Sequence, residues 1–480
     1  MRQPSVYEQR ARELCAADGI DPESRVPYPG KPSRTMPAWV PYKIKAEQEE
    51  LASIAASALP LRGPDMLPHI NLRPENQIET DNLNAVAKTM IEIMRLPTIV
   101  DGAIMPDACP VGKGEIPVGG VVATKEAIHP GFHSADICCS MAVSIFSTPA
   151  DRGPGKEILD AGMKISHFGG GGRPHSHDMQ CSNSLLAEFE SNRFLSNMIE
   201  MARKHFGTQG DGNHFFYVGR VASTGQTALV THHGSRAPGA TLYKLGMDVA
   251  EDWRRKLCPE APKQAAWIPS ETRDGEEYWK ALQIIRTWTK KNHFAIHDAV
   301  SKHLGLRVVD RFWNEHNFVF RKPDGLFYHA KGATPAFPYW AADVSDHLTL
   351  IPLNMAQPIL IASGLNAPHA LGFAPHGAGR NMSRTAYERS LGEMAVNADH
   401  FVKSQTPGLD VRFFCGVPDL SELPGAYKNA DAVRAQIDEF GLAEIVDTIE
   451  PIGTIMAGDW QADMPWRKKR QKKVAEATAQ

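Results

Sequence analysis

Cysteine is scarce in this chain: seven occur in 480 residues, at positions 15, 109, 138, 139, 181, 258 and 415. An odd, unevenly spaced set argues against a secreted disulfide framework and for reduced thiols. Long apolar runs are missing too. No stretch reaches the ~18 apolar residues a membrane helix needs, so no span is expected. The start, "MRQPSVYEQRARELCAADG", lacks the apolar core of a signal peptide, and the expected location is cytoplasmic. Charge of neither sign prevails: 52 basic against 55 acidic residues leave a net −3. A nucleic-acid partner would therefore have to be held by local basic patches. No HExxH and no CxxC…CxxC pattern is present, so the familiar zinc signatures give no lead. There is also no repeat period and no Gly/Ser linker in mid-chain, which favours one large domain over several strung together. What remains is an ordinary globular composition, 42% hydrophobic and 22% charged.

The first 80 or so residues are rich in proline, as in "RVPYPGKPSRTMPAWVPY", and read as an extended arm with one helix over 43–58. Helical spacing predicts helices over 82–97 (stopped by Pro97), 184–205, 240–258, 276–304, 383–396 and 430–441. Between the first two, residues 98–146 are dense in Gly, Pro and β-branched side chains and read as short strands and tight turns. The fold class expected is α+β: an N-terminal extension over 1–85, one large domain over 86–465 and a basic tail over 466–480. That tail carries six basic residues between Arg467 and Lys473. It reads either as a solvated tail or as one that attracts RNA or a partner.

Nineteen histidines are the chain's chemical resource. Four short stretches set histidines in unusual surroundings, each beside an apolar run or a glycine turn: "GDGNHFFYVG" (His214), "LVTHHGSRAPG" (His232, His233), "NEHNFVF" (His316) and "FAPHGAGRNMSR" (His376). A rigid backbone there can aim a side chain at a common point. Imidazole, thiolate and carboxylate together suit a divalent transition metal, and "HSADICCSM" adds Asp136, Cys138 and Cys139 to the pool. Any one of these histidines alone is more often a satisfied core or surface residue. In "HGAGRNMSR", small residues at 377–379 let a backbone approach a phosphate, while Arg380 and Arg384 offer bidentate donors. His376 in that frame is a candidate nucleophile for phosphoryl or nucleotidyl transfer. The plainer reading is a glycine-rich turn capping the helix after Ser383.

With these residues in view, the sequence resembles the RtcB family of RNA ligases, whose landmarks occur in order. They are "MPDACPVGKGEIPVGGVVAT", "ADICCSM" for VDIGCGM, "GTQGDGNHF" for GTLGxGNHF, "HHGSRAPG" for HSGSRGxG, "EHNFVF" for HHNxxx, "HAKGATPA" for HRKGATxA and "PHGAGRNMSR" for HGAGRxMSR. The resemblance covers roughly residues 86 to 458 and continues through "GAYKNADAV". It implies an α+β fold around a deep, metal-lined central cleft. It further implies an enzyme that joins an RNA 3′-phosphate or 2′,3′-cyclic phosphate to a 5′-hydroxyl with GTP and two Mn2+ ions, in RNA repair or tRNA splicing. A protein partner that activates the enzyme is also compatible with it. By motif position, Asp136, Cys139, His214, His232 and His316 would be metal ligands, with the Cys139 thiolate bridging two ions. His376 would be the nucleophile that takes GMP. Asn213, Asn317, Asn354 and the loop His376, Gly377, Ala378, Gly379 and Arg380 would bind the nucleotide. Cys138 stands where the family has glycine and reads as a packed bystander. His233 stands at a serine position and reads as structural. Asp107 keeps the MPD aspartate and is placed beside the metals.

The departures cluster where the family touches the nucleobase. Tyr217 stands where an acidic residue is usual, Asn354 replaces a serine, and Met456 or Ala457 stands in place of a near-terminal lysine. A carboxylate is the natural partner for the two guanine N–H groups, and neither tyrosine nor alanine replaces it in kind. The resemblance thus implies the reaction centre more firmly than the base, and a diverged paralogue rather than the housekeeping enzyme.

Overall fold

A computed structural model of the chain describes residues 6–55, 59–149, 153–173, 179–341 and 348–462. It is built of mixed helix and strand, as the α+β expectation required. The larger sheet has eight strands. Seven lie in the order Val308–Glu315, Ser140–Pro149, Gln226–His233, Phe215–Val221, Ala443–Met456, Ile359–Gly364, Leu348–Ile351, each antiparallel to its neighbour. The eighth, Asp410–Phe413, pairs in parallel with Ala443–Met456. A five-stranded sheet runs Asn317–Arg321, Phe327–Lys331, Val118–Thr124, Ile99–Cys109, His69–Ile70. The chain passes from one sheet to the other at His316, between Glu315 and Asn317. That single residue therefore sits at the seam.

The central strands are buried on both faces, as in Ser140–Pro149, whose first seven residues are all buried. Their near-continuous apolar runs follow from that. The 32-residue helix Arg273–Leu304 packs on this sheet, capped by the Thr272 hydroxyl accepting the Gly275 N–H and ended at Gly305. One apolar core joins the two sheets and the helices around them, from Val86 and Met90 to Trp288 and Phe373.

Several helix boundaries differ from those expected. The helix expected over 82–97 is Gln77–Met94: Asn76 accepts the Glu79 N–H and Glu79 returns a carboxylate to the Glu75 N–H, so the cap sits a turn and a half earlier. The span 184–205 is broken into Asn183–Ser191 and Ile199–His205, because Asn192 leaves the helix to bond the Phe194 N–H and the Glu277 carbonyl. The 383–396 helix closes early, as Arg384–Leu391, at Gly392. The spans over 240–258, 276–304 and 430–441 appear as Arg236–Leu257, Arg273–Leu304 and Ala430–Glu439. Ala398–Gln405 was not anticipated.

The N-terminal region is more than an extended arm. Helix Val6–Ala17, the hairpin Arg25–Tyr28/Lys31–Pro37 and helix Lys43–Ala55 share a small apolar cluster of Ala11, Leu14, Cys15, Ala38, Trp39 and Ala46. Proline density hid the first helix, whose buried positions 11, 14 and 15 have helical spacing. The basic tail at 466–480 lies outside the described residues. Among the described residues, no helix is long and apolar enough to cross a membrane.

Candidate active site

Four neighbouring strands of the larger sheet bring their ends to one place. Cys139 precedes Ser140–Pro149, His214 precedes Phe215–Val221, His232 is next to last in Gln226–His233, and His316 follows Val308–Glu315. Register sets them side by side: His232 pairs with Met141 on one flank and Phe215 on the other, and Ser140 pairs with Glu315. The Cys139 thiol lies 3.2 Å from His232 Nε2 and 3.5 Å from His214 Nε2. His232 Nε2 is 3.1 Å from His316 Nε2, and His214 Nε2 is 3.1 Å from Asp136 Oδ2.

Two three-residue clusters result, Asp136–Cys139–His214 and Cys139–His232–His316, with Cys139 common to both. Within each, the ligand atoms lie within 4.8 Å of one another. The donor chemistry fits a divalent cation. His232 donates Nδ1–H to the Asn213 carbonyl at 3.0 Å, which leaves Nε2 as a lone pair aimed at the thiol and at His316. Burial lowers His232 to about 3 and His316 well below the usual range, so both rings are neutral, the form that could ligate a cation. Burial, followed by the charge of Asp136, pushes the Cys139 thiol well up. A cation held there would reverse that and favour the thiolate. Burial also acts to raise Asp136, but His214 and then Arg236 outweigh it and hold the carboxyl below the usual range.

Asp107 belongs to neither cluster; it accepts a hydrogen bond from His376 Nδ1 at 2.5 Å and another from the His376 backbone N–H at 3.2 Å. The ring is thereby fixed with Nε2 free, and it lies with its centroid 4.9 Å from that of His316. The loop and the Asp107 strand come this close because position 379 is glycine. With φ +73°, Gly379 has no Cβ, and an added one would sit 2.1 Å from the Asp107 carbonyl oxygen. Lys428 clamps the same region, donating from Nζ to the Pro106 and Ala108 carbonyls and from its backbone N–H to the Gly379 carbonyl.

His376 and the second cluster line a cavity of about 310 Å³, which Asn213, Asn317, Asn354 and the loop 377–380 also line. Asn317 accepts the Gly332 N–H and Asn354 accepts the Ala356 N–H, so both amides are oriented by backbone. Arg380 and Arg384 both bond the buried Glu422, which holds them in position and takes up part of their capacity for a phosphate. Glu422 lies in no motif that the residue pattern singled out, and Lys428 lies within "GAYKNADAV", a stretch to which the sequence attaches no role. Away from His376 the cavity becomes apolar, with Phe215, Leu353, Met355, Ile359 and Met456. Tyr217 lines that end, its hydroxyl donating to the Ile449 carbonyl at 2.8 Å.

The remaining candidates fall outside the clusters. Cys138 has φ +56°, the left-handed region that favours glycine, and its side chain is fully buried in the core. This is why a glycine pattern fits that position and why the thiol is a bystander. His233 is buried and stacks on His293 with ring centroids 3.4 Å apart.

Together these features define a class: a mixed helix-and-sheet protein in which adjacent strand ends build two metal-type clusters around one thiol, beside a histidine held by an aspartate. Residues 149–457 match the family described as tRNA-splicing ligase RtcB, and the chain belongs to that family. It is 28% identical over 292 residues to a tRNA-splicing ligase RtcB of Archaeoglobus fulgidus, a match that covers 53% of this chain and 60% of the relative. It is 25% identical over 444 residues to that of Nanoarchaeum equitans, covering 77% and 91%. To an RNA-splicing ligase RtcB1 of Escherichia coli it is 26% identical over 398 residues, covering 76% and 92%.

Proposed function

We propose that the chain is an RNA ligase that joins a 3′-phosphate or 2′,3′-cyclic phosphate end to a 5′-hydroxyl end through a nucleotidyl-histidine at His376. The observation that carries this reading is the meeting, in one cavity, of the Cys139-centred clusters with a histidine whose Nδ1 is bound by Asp107 and whose Nε2 is free. Asp136, Cys139 and His214 would hold one divalent cation, and Cys139, His232 and His316 a second, with manganese the ion the family resemblance favours. Such cations supply positive charge to the phosphate oxygens.

The chain's own groups account for the rest. Asp107 keeps the proton on Nδ1, so Nε2 presents its lone pair to the α-phosphorus of a nucleoside triphosphate. A P–N bond forms and pyrophosphate leaves. The nucleotidyl group then passes to the RNA 3′-phosphate and returns His376 to its starting form. The 5′-hydroxyl attacks the activated phosphate, and the nucleoside monophosphate departs. A cyclic phosphate is first opened by water. Asn213, Asn317 and the 377–380 loop position the nucleotide.

GTP is the nucleotide the resemblance favours. A ligase using another nucleotide is the second reading, favoured by the apolar end of the cavity, where the Tyr217 hydroxyl is committed to a backbone carbonyl. Incubation with Mn2+ and each α-labelled nucleoside triphosphate in turn tests both. Acid-labile label on the chain, lost in His376→Ala, is the expected result, and the labelling nucleotide identifies the base. Absence of label with all four would overturn the ligase reading in favour of a metal-dependent phosphoesterase or an RNA-end-binding protein.

A further inference from the structure

Beside the enclosed cavity lies a larger, open cleft of about 780 Å³. The two share Asp136, Asn213 and Arg384, so the open cleft leads directly to the clusters. If the enclosed cavity takes the nucleotide, the open cleft is the approach left for a polymer. Its wall includes a segment outside the family match, which ends at residue 457. Gly458, at φ +77°, turns the chain back there, and its missing Cβ allows the Val417 carbonyl to approach. The Asp459 N–H then bonds that same carbonyl at 2.9 Å. This turn seats Trp460 against the backbone of Gly169 and Gly170, where the indole lines the cleft.

The indole is fixed, not loosely exposed. Its Nε1–H donates to Asp211 Oδ2 at 3.1 Å. Two cationic side chains line the same cleft. Arg236 lies with Nη1 3.4 Å from His214 Nδ1, and half-exposed Arg384 has its Nη2 beside Gly212. The wall also carries five carboxylates, each engaged within the protein: Asp136 by His214, Asp211 by Trp460, Asp419 by the Ser421 N–H and hydroxyl, and Glu388 and Asp459 by other partners. A rigid aromatic face next to two guanidinium groups matches single-stranded RNA, whose bases stack on aromatics while its phosphates meet arginine.

We propose that Trp460 is a stacking platform for the terminal base of an RNA end, held beside Arg236 and Arg384 at the mouth of the active site. This rests on the ligase reading above. A base stacked there lets the adjoining phosphate reach the arginines and points the end of the strand at the clusters. Trp460 itself takes no part in the chemistry; it positions the strand.

The test is the Kd of a short single-stranded RNA, 3′-phosphorylated and 5′-hydroxylated, measured by fluorescence anisotropy with Mn2+ and no nucleotide. Trp460→Ala is expected to raise Kd about tenfold, within the range of one base–aromatic stack. Trp460→Phe should restore most of the binding, whereas Trp460→Leu, which keeps apolar bulk but has no π-face, should resemble alanine. RNA made abasic at the stacked end should bind the wild type as weakly as intact RNA binds Trp460→Ala. Abasic substitution at the 3′ end and at the 5′ end in turn shows which end is held. A Kd within twofold of wild type for Trp460→Ala, equal rescue by Phe and Leu, no effect of either abasic end, or no RNA binding by the wild type would each overturn the proposal. Labelling of the wild type by nucleotide is scored separately. Its failure would sink the ligase reading, and its success beside an unchanged Kd would sink only the platform.

Discussion

Two groups of buried histidines meet the same strands, one at the strand ends and one on the helix Arg273–Leu304 packed behind them, and they solve the burial of polar atoms in opposite ways. Behind the clusters, His293 and His297 have an oxygen partner for every ring nitrogen. His293 Nε2–H donates to the His233 carbonyl, its Nδ1 accepts from the Thr231 hydroxyl, His297 Nε2–H donates to that same hydroxyl oxygen, and Ser144 donates to His297 Nδ1. One arrangement of protons satisfies the whole chain. In front, His232 points a lone pair at a thiol and at the nitrogen of His316, and the His316 Nδ1 has no partner. Neighbouring strand positions thus carry a closed hydrogen-bond network (Thr231) and an open set of electron-pair donors (His232). A buried histidine is informative only once its partners are counted, since ring nitrogens that converge on a thiol and on one another suit a cation.

Removing the shared thiol breaks that contrast most severely. Cys139→Ser should lose bound metal from both clusters, and its ligation activity with it. That effect should exceed the roughly 10- to 100-fold drop in metal affinity caused by losing an outer-shell partner. Plasma mass spectrometry of metal per chain checks it, with Cys138→Gly beside it. Glycine suits the left-handed backbone at that position, so this variant should keep its metal. Metal loss in Cys138→Gly with retention in Cys139→Ser would mean the ligand assignment is inverted. Next in size comes Asp107→Asn. The amide can present N–H to His376 Nδ1 and leave the proton on Nε2, the wrong tautomer for attack. Labelling of His376 should slow by roughly 10²- to 10⁴-fold while metal content stays at the wild-type level. An unchanged labelling rate would remove Asp107 from the mechanism.

Much of the front group was legible in the sequence, and almost none of the back group was. His214, His232, His316 and His376 stand out because each adjoins a glycine turn or a strand end, and Asp136 and Cys139 because of their D-x-x-C spacing. The structure brings all six together. Asp107 was visible as a residue but not as a partner. Its contact joins strand Ile99–Cys109 to a loop 269 positions away, and no local pattern encodes that. Glu422 was missed for the same reason, and Lys428, although inside "GAYKNADAV", makes contacts more than 300 positions away that no local pattern encodes. His293 and His297 lie one helical turn apart in Arg273–Leu304, where their spacing reads as an ordinary buried face. The first helix, Val6–Ala17, was hidden by its proline-rich surroundings, although its own periodicity was intact.

The back group can be opened from the middle. Thr231→Val removes the hydroxyl shared by His293 Nδ1 and His297 Nε2 and leaves two buried ring nitrogens unpaired at almost constant volume. Stability should fall by about 1–3 kcal/mol, read as a lower urea midpoint with unchanged slope, and metal per chain should change less than twofold. A loss of metal larger than the loss of stability would show that the two groups act as one.

The smallest effect is a dependence on pH that the closed network should carry through His297. Burial, with the charge of Arg311 adding to it, lowers His297 to about 3, against about 6.5 for an exposed histidine. The folded chain keeps this ring neutral, while the unfolded chain takes up a proton below about pH 6.5. Stability from this group is therefore complete above pH 6.5 and is lost progressively as pH falls towards 3. Between pH 7.5 and 5.5 the loss should be about 1 kcal/mol for this one residue. His297→Asn removes the titrating ring. Its stability should be lower at every pH, but its curve of unfolding free energy against pH should be flatter than the wild type's by that amount, with chelator present in both so that metal release contributes nothing. Parallel curves would mean that His297 takes up its proton in the fold at the same pH as in the unfolded chain. The Ser144 and Thr231 hydroxyls would then have to act as acceptors below that pH.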